Sequence, residues 1–552
     1  MRMNQREEAQ PQPIVEFAPP PAPVESSPVD SPLAENPSVL SSVARRPSND
    51  QSFLSKVLAS TSQRLASDGM PGPPSGLDRF LESDDFAESM RLWFGEATLR
   101  RQEHAPVEQF IDQMQRDIAK IDAVVSSQLN EVLHHPAFQR LEASWRGVYH
   151  LAGCKDRWSA APITVSVLTA TWAEIRNDLE FANEFDQSTL FKKIYDEGIG
   201  TPGGYPFSTI ILDYAIHPRP SREHPFDDIG ILTRFAEVAQ AAFCPLIANA
   251  HPTMFSEESF SDLRSHGDYE KTQNGLNFLR WKAFREDESS RFVSLAMPRL
   301  LMRRPYRATS ARYFGFGFEE VVSGVEDYLW GGAAFAAGEV ILRAFAQGHW
   351  LADIRGAQRG VESGGLVLGP TYEAFATEPR DGATKPLTDM VIGDDFERSL
   401  AKLGFLPLCA CKDMPMAAFY SSATIQKART YNGAEANANA RISTMLNYML
   451  CASRFAHYIK ILTRNKIGSC SGPEQLENIL QNWLADYICD AEAEARVRAE
   501  KPLRDAQIKV SAIPGTAGEY SCVLQVAPHY EFEGVTAAVV LKDEKLVRTA
   551  KH

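Results

Sequence analysis

Ser208-Thr209-Ile210-Ile211-Leu212-Asp213-Tyr214, followed by a helical stretch over 229–242 and then by Pro245-Leu246-Ile247-Ala248-Asn249-Ala250, decides the fold. The two outer runs are short and apolar, as buried strands are, and the stretch between them has apolar residues at helical spacing. Strand, helix and strand in that order make a crossover unit and imply a largely parallel sheet. Working outward, Ile163-Thr164-Val165-Ser166-Val167-Leu168 is a further strand expectation and 172–182 a helix. Helices are also expected over 328–346, 434–462 and 474–499, the last with Pro473 at its start, where a missing N–H costs nothing. The chain end changes character, with strand-like runs over 506–513, 520–530 and 535–541. In the middle run Tyr520, Cys522, Leu524 and Val526 share one face of the pleat. The expected class is α/β, with mixed, mostly parallel sheets, long helices, a disordered N-terminal arm and a C-terminal antiparallel β-meander.

Residues 1–104 differ from the rest. Thirteen of the 34 prolines lie between Pro11 and Pro74, among Ser, Ala and acidic residues, so this stretch buries too little apolar surface to offset its ordering entropy. One amphipathic island interrupts it, where Phe53, Leu54, Val57 and Leu58 fall on one helical stripe. It is either a docking motif or a short helix packed on its own domain. Next, Val107, Phe110, Ile111, Met114, Ile118, Ile121, Val125, Leu129 and Val132 recur every three or four residues. A helical seam that long serves a partner or spans a domain. After the break at His134-His135-Pro136 the helix restarts, with Trp145 as a large aromatic anchor and Arg146 as a buried-prone cation before Gly147. The expected organisation is an arm over 1–104, a helical partner-binding segment over 105–160, an α/β core over 161–500 and the meander over 501–552.

A net charge of −14 argues against a nucleic-acid binder, which needs clustered Lys and Arg. The local run Arg299, Arg303, Arg304, Arg307, Arg312 is read as solvated or interface-paired. Eight cysteines without a framework fit a reduced compartment, and Cys409-Ala410-Cys411 fits a packed strand better than a metal pair. The first residues lack a signal-peptide core, and no apolar run approaches the ~20 residues of a membrane helix. A cytoplasmic chain without membrane insertion is expected.

Catalytic motifs are missing. The chain has no phosphate-binding loop of the Gly-x4-Gly-Lys type, no His-Glu-x-x-His and no Gly-x-Ser-x-Gly. Gly364-Gly365 is a turn needing unusual φ. His134-His135, His251 and His349 lie far apart without a carboxylate motif around them, so sequence spacing assembles no metal site. No enzyme, cofactor or metal is expected.

Several runs, taken together in order, resemble the large subunit of the type VI secretion contractile sheath over nearly all of 107–546. They include His134-His135-Pro136, Trp145-Arg146-Gly147, Gly203-Gly204-Tyr205-Pro206, Ala248-Asn249-Ala250, Arg304-Pro305-Tyr306, Leu329-Trp330-Gly331, Ile354-Arg355-Gly356, Gly404-Phe405-Leu406-Pro407-Leu408 and Pro528-His529-Tyr530. The resemblance implies a structural protein that pairs with a small sheath subunit and polymerises around an inner tube of ring proteins. It also implies baseplate components as neighbours and an AAA+ unfoldase for disassembly. In that frame Val107, Phe110, Ile111, Met114, Ile118, Ile121 and Val125 would face the small subunit. Tyr520, Cys522, Leu524 and Val526 would lie on a strand shared between protomers, and Trp145-Arg146-Gly147 would be a core motif. Phe53, Leu54, Val57 and Leu58 would offer the unfoldase a helix. A sheath-like paralogue in the baseplate or in regulation, or a soluble α/β enzyme, are the competing readings.

Overall fold

The computed structural model describes residues 76–96, 99, 107–263, 267–307, 316–357, 361–376, 382–384, 386–411, 414–466, 472–490, 492–512 and 520–529. The Phe53–Leu58 island and the expected strand over 535–541 lie outside them. The chain divides into two compact units, 1–120 and 121–552.

In the first unit, helices Gly76–Glu82 and Phe86–Phe94 form a short pair. Asp85 caps the second by accepting from the Ala87 N–H at 3.1 Å, and the rings of Phe80 and Trp93 meet across the pair in a tilted arrangement at 5.2 Å. The helix Val107–Leu133 begins in this unit, with Phe110 edge-on to Phe94 at 5.6 Å.

The second unit is built on a six-stranded sheet. Its strands are β1 (Ile210–Ile216), β2 (Leu246–Ala250), β3 (Val293–Met297), β6 (Leu366–Val367), β9 (Phe405–Ala410) and β10 (Ala417–Phe419), in the order β1-β2-β3-β9-β10-β6. The first four neighbours run parallel, and β10 and β6 join antiparallel. Two antiparallel pairs flank it, β4 (Leu300–Arg303) with β5 (Leu329–Gly331), and β7 (Ala374–Ala376) with β8 (Gly382–Thr384). Both faces of the central sheet are covered, which is why its strands are continuously apolar. Leu246, Ala248 and Ala250 of β2 face one core with helices Trp172–Phe181 and Asp228–Ala242, while Ile247 faces a second core with helix Ala334–Gly348.

A third core lies under the C-terminal hairpin of β11 (Leu503–Ala512) and β12 (Tyr520–Pro528). Helices Leu446–Lys466 and Pro473–Ala485 supply Phe455, Leu476, Leu480 and Leu484, and β11 contributes Ala506, Ile508 and Val510 from alternate positions.

Four expectations need correction. The run Ile163–Leu168 belongs to no ladder among the described residues, and Val167 and Leu168 are exposed; its β-branched pattern suits a pleated surface, for which the described residues supply no neighbour strand. Within 328–346, residues Leu329–Gly331 form β5, and the helix starts at Ala334, whose N–H is accepted by Asn249 Oδ1 at 2.9 Å. The stretch 434–462 is two helices, Ala434–Ile442 and Leu446–Lys466. At the break, Thr444 Oγ1 donates to the Arg441 carbonyl and the Thr424 backbone N–H to that of Thr444. Finally, 474–499 is divided after Ala485, because Cys489 and Tyr487 exchange main-chain bonds with Leu503.

Candidate assembly surfaces

The helix Val107–Leu133 presents its apolar seam to solvent. Val107 is 70% exposed and Ile118 46%, with Ile111, Met114, Val125 and Val132 also exposed and Phe110 and Ile121 half-buried. Among its residues, Asp117 and Leu133 are the buried ones; Asp117 accepts from Gln113 Nε2 and Lys120 Nζ at 3.1 Å. An amphipathic helix normally buries this stripe, so the exposed seam is a surface that can gain by association.

The next helix, Pro136–Arg157, has two faces. Ala143, Gly147, Leu151 and Cys154 are buried. A Cβ at Gly147 would lie 2.4 Å from the Phe335 ring, so glycine there permits close approach to helix Ala334–Gly348. The opposite face carries Phe138, Leu141, Trp145 and Tyr149, spaced as one helical stripe. All four are exposed, Trp145 by 58% and Tyr149 by 80%. Trp145 is therefore no buried anchor, because the core side of this helix is taken by small residues in a tight crossing. Sequence reasoning missed this second apolar stripe, although its 3-4-4 spacing is legible. Arg146 is only partly covered and pairs with Glu142 at 2.7 Å.

The same Glu142 links the helix to β4. Arg303 Nε donates to Glu142 Oε1 at 2.9 Å, and its guanidinium holds Glu320 with both terminal nitrogens, Nη2 to Oε1 at 3.1 Å. Glu320 also accepts from the Tyr306 N–H at 2.9 Å and meets His134 Nε2 at 3.2 Å. Side-chain exposures of 6% for Arg303 and 1% for Glu320 make this a buried pair. Burial alone would raise the Glu320 carboxyl, but the Arg303 bonds and the Tyr306 N–H bring it below its ordinary value. The rest of the basic run pairs within the chain, while Arg304 and Arg307 stay exposed to solvent. Arg299 binds Asp389 at 2.6 Å and Glu326 at 3.0 Å, Arg307 binds Glu373 at 2.7 Å, and Arg304 lies over the Tyr372 ring. Arg312 is outside the described residues.

On the C-terminal hairpin, Val510↔Cys522, Ile508↔Leu524 and Ala506↔Val526 are register partners. Leu524 and Val526 pack against the third core, Cys522 is exposed, and Tyr520 is at the start of β12. The described sheet has two strands, so its outer edges carry no further strand among the described residues. Gly364 has φ +66, and a Cβ on Gly365 would fall on the Phe419 carbonyl, so the turn expected there is a turn of close approach.

Among the described residues, two groups bring three potential ligand atoms within 4.8 Å of one another, His150–Cys154–Glu339 and His217–His224–Asp228. In the first, His150 Nε2 meets the fully buried Glu339 at 2.7 Å. Desolvation opposes the imidazolium, but Cys154 and Glu339 outweigh it and hold His150 up at about 10. Cys154 is 1% exposed, too enclosed to serve as a nucleophile. No helix among the described residues is long and apolar enough to cross a membrane.

Residues 115–426 match the family described as EvpB/VC_A0108, tail sheath N-terminal domain, and residues 435–544 match its tail sheath gpW/gp25-like domain. The chain is 34% identical over 430 residues to the type VI secretion system sheath protein TssC1 of Pseudomonas aeruginosa, covering 77% of this chain and 84% of that protein. Among solved structures it is similar to a chain of the contracted helical sheath of the anti-feeding prophage, with TM-score 0.31, 9% identity, 60% of this chain and 70% of that one. A chain of that prophage's baseplate matches with TM-score 0.33, 10% identity, 68% of this chain and 82% of that one. The sequence matches span both halves of the second unit. On them, the chain belongs to the large-subunit family of the type VI secretion contractile sheath.

Proposed function

We propose that this chain is a structural large subunit that pairs with a small sheath subunit and polymerises around an inner tube, so that contraction drives the tube outward. The observation that carries the pairing is the exposed seam of helix Val107–Leu133, a stripe of large apolar side chains on a helix with almost no buried residue. In this reading 105–160 binds the small subunit, 161–500 forms the sheath wall, and 501–552 pairs between protomers by strand addition at the hairpin edge. Each added main-chain bond is worth only ~1 kcal/mol, but a row of them makes a joint that holds while subunits turn as rigid bodies. Residues 163–168, without a ladder among the described residues, would offer a second edge of the same kind. The subunit would work in the cytoplasm, without catalysis of its own, beside an inner-tube ring protein and baseplate components. Its disassembly would fall to an AAA+ unfoldase acting on the Phe53, Leu54, Val57, Leu58 stripe of the arm over 1–104. Co-expression with the small subunit and electron microscopy tests the proposal. Tubules are expected; isolated monomers that ignore the small subunit would overturn it.

A further inference from the structure

The parallel strands β1 and β2 end side by side, and the residue following each is a histidine, His217 after Ile216 and His251 after Ala250. The carboxyl end of such a sheet is where open α/β folds place ligands. Here the loop after β1 folds back so that His224 also arrives, and the three imidazoles stack, His217 on His224 at 4.1 Å and on His251 at 3.9 Å. Beneath them Asp228, fully buried at the start of helix Asp228–Ala242, receives His224 Nε2 at 2.7 Å on Oδ1 and His217 Nδ1 at 3.1 Å on Oδ2. Two further donors fix this carboxylate from behind, the Trp172 indole N–H at 2.7 Å and the His217 backbone N–H at 2.8 Å.

We infer that His217, His224 and Asp228 form a binding site for a divalent transition-metal ion of the zinc class, completed by solvent. Imidazole nitrogens with one carboxylate select such ions over magnesium or calcium. Both imidazoles already aim a ring nitrogen at the carboxylate from opposite oxygens. An ion enters when each imidazole, as its neutral form, moves its proton to its other ring nitrogen and gives the freed lone pair to the metal. The Trp172 indole N–H and the His217 main-chain N–H then remain as the outer bonds that keep Asp228 in place, as ligating carboxylates require. His217 and His224 retain 15% and 24% side-chain exposure, which leaves a path for the ion. His251 stays outside the ligand set, because its Nδ1 is held by Thr253 Oγ1 at 2.9 Å and by the Thr253 N–H. The bound ion would fasten the loop 217–227 to the start of its helix.

The test is titration of the untagged, chelator-treated full chain with Co²⁺, read by its visible d–d absorption, and with Zn²⁺ in competition. One tightly held ion per chain, displaced by Zn²⁺, is the expected result. His224→Ala should weaken uptake by at least ~10–100-fold, a range already seen for loss of outer-shell partners. His224→Gln keeps a donor toward Asp228 while removing the imidazole, so it should weaken uptake with an unchanged circular dichroism spectrum. His349→Ala, remote in sequence, should bind as the parent does. Absence of uptake at one equivalent, or uptake unaltered in a folded His224→Gln chain, would overturn the assignment.

Discussion

Replacing Arg303 by Met tests whether the buried pair fastens helix Pro136–Arg157 to the sheet unit. The substitution leaves Glu320, 1% exposed at its side chain, with the Tyr306 N–H at 2.9 Å and His134 at 3.2 Å as its remaining donors. Removing one member of a buried pair costs about 3–5 kcal/mol, and the donors that stay behind favour the lower end, about 3 kcal/mol. Glu320→Gln should cost less, about 1–2 kcal/mol, because Arg303 keeps Glu142 at 2.9 Å. The two changes together should cost less than their sum by more than about 1 kcal/mol, since the second removes a group the first has already stranded. Equilibrium urea unfolding of the full-length chain, with the slope unchanged among variants, measures all three. A loss below about 1 kcal/mol for Arg303→Met, or strict additivity in the double variant, would refute the account.

Further expectations concern the surfaces and the titrating groups. Ile111→Ser with Ile118→Ser touches exposed positions, so stability should move by no more than about 0.5 kcal/mol while co-purification with the small subunit is lost; retained pairing would contradict the seam assignment. Ile508→Ala, in the third core, should cost about 2–5 kcal/mol and loosen the hairpin in hydrogen exchange. His150 has its folded value raised from 6.5 to about 10. Its stabilising contribution is therefore complete below 6.5 and lost as pH rises through 10, and His150→Gln should flatten that alkaline limb of the stability profile. Glu320 has the opposite sign. Its folded value lies below the ordinary 4.5, so its contribution is complete above 4.5 and is lost as pH falls through the folded value, an acid limb that Glu320→Gln should remove.

How much of this was legible in the chain follows from which forces are local. Strands β1 and β2 and the helix between them were readable, because strands buried on both faces must be apolar throughout. The seam of Val107–Leu133 was readable because its period is intrinsic to one helix. The start of helix Ala334–Gly348 was not, since the group that receives its first N–H is Asn249, 85 residues away. Nor was the exposure of Trp145: an aromatic near an Arg on a helix looks like an anchor unless the small residues opposite, and Phe335 against Gly147, are known to close the core side. The meeting of His217, His224 and His251 also escaped. His224 and Asp228 are spaced four apart, but His251 joins them only because β2 lies beside β1. Sequence neighbours announce helices; sheets assemble sites from strangers.

The aromatic block beneath the hairpin has a mechanical consequence. Trp350 stacks on Phe455 at 4.1 Å, and Trp483 and Tyr487 close edge-on around them. A tug delivered along β12 would meet the register from Leu503↔Pro528 to Ala512↔Tyr520 in shear, so many bonds would have to give at once, and the block behind it would pass the force into two helices. In the proposed sheath, the tail would serve as a handle bolted to its own footing.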